Sequence, residues 1–136
     1  MVNILVVGSG GREHALSWKL SQSNHVETVY TAPGNGGTEN NVAIDVNDLD
    51  GLAEFAQKNN CFTVVGPEDP LASGIVDKFN KLNLKVLGPS QAAAQLESIK
   101  IWAKNFMKRN IIPTARFDIF DAAQKDIEYL QSIVLH

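Results

Sequence analysis

The feature that most constrains the fold is an alternation that runs from residue 3 to residue 88. Five short apolar runs, Asn3–Val7, Glu27–Ala32, Val42–Asp45, Phe62–Gly66 and Lys85–Gly88, are separated by stretches with helical spacing. Leu49, Leu52, Ala53 and Ala56 fall at i, i+3, i+4 and i+7, one face of a helix. Leu71, Ile75 and Phe79 repeat at i, i+4 and i+8. Strands that alternate with helices of this length predict an α/β fold built on an open parallel sheet with right-handed crossovers. The expected order is five strands followed by a change of pattern.

After Gly88 the strands stop. Residues 89–110 read as two helical stretches, the second with an apolar stripe of Ile99, Trp102, Ala103 and Phe106. Pro113 is expected to end that helix, because it cannot donate to the hydrogen-bond ladder and restrains its predecessor. "TARFDIF" reads as a strand or an extended connector. A further helix is expected from Asp121, its N-cap, with Ala123, Ile127, Leu130 and Val134 in register. These patterns divide the chain at residues 1–97 and 98–136, the second part resembling an interrupted domain.

Composition narrows the classes. With 12 Lys and Arg against 15 Asp and Glu the net charge is −3, which does not suit a nucleic-acid or membrane-surface binder. No apolar run is long enough for a transmembrane helix, and the first apolar run ends at a glycine turn rather than at a cleavage site. The cytoplasm is the expected compartment. A single cysteine, Cys61, rules out an internal disulfide and reads as a small buried core residue.

The first apolar run stops at Gly8, Gly10 and Gly11, followed by Arg12, Glu13 and His14. This strand–turn–helix start suggests a dinucleotide fingerprint, G-x-G-x-x-G with an acidic residue ending the second strand. Two elements fail. The third glycine is replaced by Glu13, and the second strand ends at Ala32 without a carboxylate. The turn keeps another use, since glycines let backbone approach an anion and Arg12 supplies a positive charge. As plain structure it is a tight turn with Glu13 at the positive helix end. "APGNGGT" follows the second run, and "VVGPEDPLASG" spans the end of the fourth. In an open parallel sheet all three loops converge on one edge, where ligands bind. Asp69 is a candidate cap for the helix that follows.

In order along the chain, "VVGSGGREHALSWKL", "APGNGGT", "VVGPEDPLASGIVD", "LGPSQAAAQLE" and "FMKRNIIPTA" closely resemble the phosphoribosylamine–glycine ligase (glycinamide ribonucleotide synthetase) family over residues 3–117. The resemblance implies a pre-ATP-grasp, Rossmann-like domain, a helical linker and the truncated start of an ATP-grasp region. It implies a ligase of purine biosynthesis. In this family ATP turns the glycine carboxylate into an acyl phosphate that the amine of 5-phosphoribosylamine attacks, and magnesium or manganese is required. In many eukaryotes the domain is fused to other purine-pathway domains. The residues matching the family's substrate edge are Gly8, Gly10, Gly11, Arg12, Asn35, Pro67 and Glu68. Lys100 matches a lysine that reaches the nucleotide phosphates. No catalytic residue and no metal ligand is assigned to this chain, so alone it is expected to be inactive. A non-catalytic binding or regulatory fragment is the alternative. Ile99 stands where the family usually has Ser, and the connection from "GGT" to "NVAID" is several residues shorter than usual.

Overall fold

The computed structural model describes residues 1–120 together with Lys125, Ile127, Leu130 and Gln131. These residues group into two compact units, 1–98 and 99–136.

The first unit is built on a four-stranded parallel sheet in the order β2-β1-β3-β4, with β1 at Val2–Gly8, β2 at Val26–Pro33, β3 at Cys61–Val65 and β4 at Val86–Leu87. The interleaved helices are α1 (Gly11–Ser21), α2 (Leu49–Lys58), α3 (Glu68–Ala72), α4 (Ile75–Lys81) and α5 (Gln91–Ser98). The chain leaves β1 toward β2 on one side and then crosses to β3 on the other. With right-handed crossovers, that reversal puts α1 on one face and the later helices on the opposite face. The apolar alternation of β1 follows. Ile4 and Val6 pack with Val29 and with Leu16 and Leu20 of α1. Leu5 and Val7 pack with Leu52, Ala56, Leu71, Ile75 and Phe79 from α2, α3 and α4. The helical stripe expected for α2 is the buried one, and Asp48 caps it by accepting from the Gly51 N–H at 2.9 Å. Cys61 lies in the core, where burial pushes its thiol up to about 11 and keeps it neutral.

Three expectations for the first unit are corrected. The run Val42–Asp45 is not a strand. It touches β2 through one bridge, Thr31 to Asn41, and then bends, because the Ile44 N–H donates to the Val42 carbonyl two residues back. Val42, Ile44 and Val46 still pack against the core. The stripe Leu71, Ile75 and Phe79 is carried by two helices, not one, since Gly74 adopts φ +89 between them. Asp69 does not cap α3; Pro67 holds the N-cap position and Asp69 lies within the helix.

The second unit contains α6 (Lys100–Arg109). Ile99 is its N-cap, half exposed and outside the helix, so the apolar stripe begins at Trp102, whose ring stacks on Phe106 at 5.3 Å. The helix ends before Pro113 is reached. Ile111 takes a left-handed φ of +55, and the Ile112 N–H closes onto the Met107 carbonyl at 2.9 Å, a Schellman ending. "TARFDIF" carries no strand and is a connector. Ile127 and Leu130 are helical and exposed, while Asp121, Ala123 and Val134 lie outside the described residues. Among the described residues no helix is long and apolar enough to cross a membrane.

Thr63, fully buried at the centre of β3, leaves its hydroxyl without a hydrogen-bond partner. An unsatisfied buried hydroxyl costs stability that a methyl group of the same shape does not. Thr63→Val is expected to stabilise the first unit by about 1 kcal/mol, read as a raised denaturant midpoint with an unchanged slope.

Candidate functional site

The sheet reverses its winding between β1 and β3, so the crevice outside the C-terminal ends of these strands is where an open α/β sheet takes ligands. Two glycines line it. Gly8 ends β1 with φ +132, and Gly66 follows β3, its N–H bonded to the Val7 carbonyl at 3.1 Å. Between them lies the side chain of Glu13, a residue only 3% exposed. A Cβ at Gly8 would come within 2.5 Å of Glu13 Cγ, one at Gly66 within 2.6 Å of Cδ, and one at Gly10 within 2.9 Å of Oε2.

The carboxylate is satisfied on both oxygens. Oε2 accepts from the Gly10 N–H at 2.8 Å, the backbone half of a capping box. Oε1 accepts from Arg12 Nε at 2.9 Å. The Arg12 side chain is 57% exposed and turns a terminal nitrogen toward Glu68 at 4.0 Å. The hydrogen bond to Glu13 holds the guanidinium above its already high value, with Glu68 and Glu97 adding to the effect. Arg12 therefore stays charged at neutral pH.

The loop after β2 is tied to the same edge. Asn35 Nδ2 donates to the Ser9 carbonyl at 2.9 Å and to the Gly10 carbonyl at 3.4 Å, while Asn35 Oδ1 accepts from the Gly37 N–H at 2.8 Å. Thr38 and Asn41 close the loop on itself. On the buried side, the hydroxyls of Ser17 and Thr31 bond at 2.9 Å and anchor α1 to β2.

The structure thus gathers Gly8, Gly10, Gly11, Arg12, Asn35, Pro67 and Glu68 on one edge of the first unit. Their parts differ. Gly8 makes room for Glu13, Asn35 stitches two loops, and Pro67 starts α3. Gly10 has φ −82 and ψ 179, an extended conformation open to any residue. A side chain at Gly11 would meet nothing within 4 Å, so this position faces open space. Lys100 belongs to the other unit, as the exposed first residue of α6. Glu13 was legible in the sequence as a failed third glycine and as an acidic residue at the positive helix end; its burial between Gly8 and Gly66 needed the fold. A separate groove of about 340 Å³ runs between α1, β2 and residues 37–40, beside the exposed Trp18, away from the β1–β3 crevice.

Among the described residues, no three His, Cys, Asp or Glu side chains gather as a metal site. The divalent metal implied by the resemblance does not fit these residues.

The family model described as phosphoribosylglycinamide synthetase, N domain, matches residues 2–97. The chain belongs to this family. It is 49% identical to the phosphoribosylamine–glycine ligase of Allochromatium vinosum over 97% of its own length and 32% of that protein. The ligase of Neisseria meningitidis serogroup B is 53% identical over 95% of the chain and 31% of the relative. The chain thus spans about a third of the length of the curated relatives it matches. The fold is also that of a solved N5-carboxyaminoimidazole ribonucleotide synthetase from Thermotoga maritima, with TM-score 0.66 at 15% identity, covering 95% of this chain and 36% of that one.

Gly66 has no left-handed φ, and the atoms nearest to a Cβ placed there all belong to Glu13, so its need for a hydrogen side chain comes from space. Gly66→Ala is expected to destabilise the first unit by about 1–3 kcal/mol, the usual cost of overpacking. Adding Glu13→Ala to it should recover part of that loss in denaturant unfolding, since the two residues compete for one space.

Proposed function

We propose that the chain supplies the substrate side of an ATP-dependent ligase that joins glycine to 5-phosphoribosylamine, forming glycinamide ribonucleotide in purine biosynthesis. The observation that carries this reading is the identity of about half to phosphoribosylamine–glycine ligases over nearly the whole chain. In this reading residues 1–97 are the pre-ATP-grasp domain, and 98–136 are the linker helix and the start of the ATP-grasp region. Turnover requires the remaining length of the relatives, which supplies the metal ligands and most of the ATP site. The working compartment is the cytoplasm.

The crevice has the chemistry for a ribosyl phosphate. Arg12 offers the terminal edge of its guanidinium, which suits a phosphate with two parallel hydrogen bonds. The open side of Gly11 at the start of α1 lets a phosphate approach the helix end, where the backbone dipole favours an anion. Glu68, half exposed beside Arg12, suits a ribose hydroxyl or an amine. A dinucleotide is disfavoured, because Glu13 has already taken the Gly10 N–H that a pyrophosphate would use.

The reading is tested by titrating the chain with glycinamide ribonucleotide and following backbone amide resonances. Saturable shifts are expected at residues 8–12, 35 and 66–68, and NAD should produce none. Saturable NAD shifts at the same amides would overturn the reading.

Lys100 tests the assignment of the second part. A lysine at the first position of a helix faces an unfavourable dipole. Lys100→Ala, placed in a full-length ligase, should leave the melting temperature within about 2 °C, as surface substitutions do. It should lower turnover by about 100-fold, the loss typical of one electrostatic donor to a reacting phosphoryl group. Normal turnover in the folded variant would return Lys100 to the solvated surface.

A further inference from the structure

We infer that Glu13 is a positioning residue that fixes the direction of the Arg12 guanidinium, so that its two terminal nitrogens face the ligand crevice. This rests on the reading above that Arg12 meets a substrate phosphate. A capping glutamate needs only one bond, to the N-cap N–H, and normally lies in solvent. Glu13 is 3% exposed and uses its second oxygen on Arg12 Nε. Its place was made by glycines from two parts of the sequence, Gly8 and Gly10 before α1 and Gly66 after β3.

The geometry has a directional consequence. A guanidinium donates along three edges, and the edge containing Nε is taken by Glu13. What remains is the pair of terminal nitrogens, on a side chain 57% exposed, with Glu68 at 4.0 Å from one of them. A free arginine loses rotamer entropy when it binds an anion, and one already held at Nε loses less. Glu13 therefore contributes to affinity without touching the ligand.

Glutamine separates this role from capping. Gln and Glu serve equally as the third residue of a capping box. In Glu13→Gln the amide carbonyl can keep the Gly10 N–H, but the amide NH2 then faces Arg12 Nε, donor against donor. Binding of ribose 5-phosphate to the full chain would be measured by NMR for wild type, Glu13→Gln and Arg12→Lys, with the Arg12 Nε–H exchange rate and the melting temperature recorded alongside. Wild type is expected to show a slowly exchanging Arg12 Nε–H. In Glu13→Gln that protection should vanish and affinity should fall about ten-fold, as expected for losing a charge-assisted arrangement. Arg12→Lys, which leaves Glu13 in place and keeps the charge but lacks the planar fork, should lose affinity to a similar degree while the chain remains folded.

Wild-type affinity in a folded Glu13→Gln chain would overturn the proposal, leaving Glu13 a cap. If Glu13→Gln does not fold, wild-type affinity in Arg12→Lys overturns it instead, because a fixed fork would then be immaterial. If wild type binds no ribose 5-phosphate while the Arg12 Nε–H protection still depends on Glu13, the substrate reading fails and the orienting contact stands.

Discussion

A buried carboxylate sets the geometry of the β1–β3 edge. Removing Glu13 from water costs several kcal/mol unless its oxygens are matched by donors. The match comes from the Gly10 N–H and Arg12 Nε, both within three residues in sequence. These bonds fix where α1 begins relative to the end of β1, and so where Arg12 stands. They also dictate composition at a distance. Gly66 is more than 50 residues away in sequence, yet it must lack a side chain because Glu13 fills the space above it. Gly8 and Gly10 of this turn thus make room for a protein carboxylate, although a strand–glycine–helix motif alone looks the same as one that holds a dinucleotide.

The neighbouring loop has its own constraint. Asn35 donates to backbone of the first turn and accepts from its own loop, and Thr38 and Asn41 complete that loop. Side-chain amides here take over pairing that a short loop cannot supply from its backbone. The result is an edge tied together by its own side chains, an arrangement that on the proposed reading lowers the ordering cost of binding. The Ser17–Thr31 hydroxyl pair extends this order into the interior by holding α1 against the edge strand β2.

The sheet was legible because strand runs buried on both faces leave a strong apolar signal. β1, β2, β3 and β4 each fall within two residues of their expected bounds. Where expectation failed, local chemistry outweighed periodicity. Val42, Ile44 and Val46 alternate like a strand and bury like one, but their backbone turns before a second pairing with β2 can form. Gly74 sits inside a good helical stripe and breaks it through a left-handed φ. The end of α6 carried the least signal, since Ile111 is β-branched and left-handed, a combination that no propensity anticipates. The family motifs pointed to the edge residues, but they could not separate those that face a ligand from those, like Gly8 and Asn35, that hold the edge together. That distinction depends on which side chain fills which space. Glu13 shows it most clearly, because its charge argued for the surface while its packing puts it inside.

On the proposed reading of this edge as a substrate site, its electrostatics bear on the kind of ligand it suits. Arg12 contributes one positive charge, and Glu13 and Glu68 contribute two negative ones within 4.0 Å of its nitrogens. Glu97 adds to the same field. At such distances each pair is worth about 1 kcal/mol in water and more in a partly desolvated crevice. A diphosphate, carrying two or more negative charges, would meet a local surplus of carboxylates and gain only one cation in return. A phosphate monoester, itself close to two negative charges at neutral pH, meets the same surplus, and hydroxyls or an amine on the same ligand offset it by donating to Glu68. Its phosphate can meet the guanidinium edge and the helix end, while its donors meet Glu68. On the proposed reading, the carboxylates beside Arg12 thus favour a ligand that brings donors along with its phosphate, as a sugar phosphate bearing an amine does.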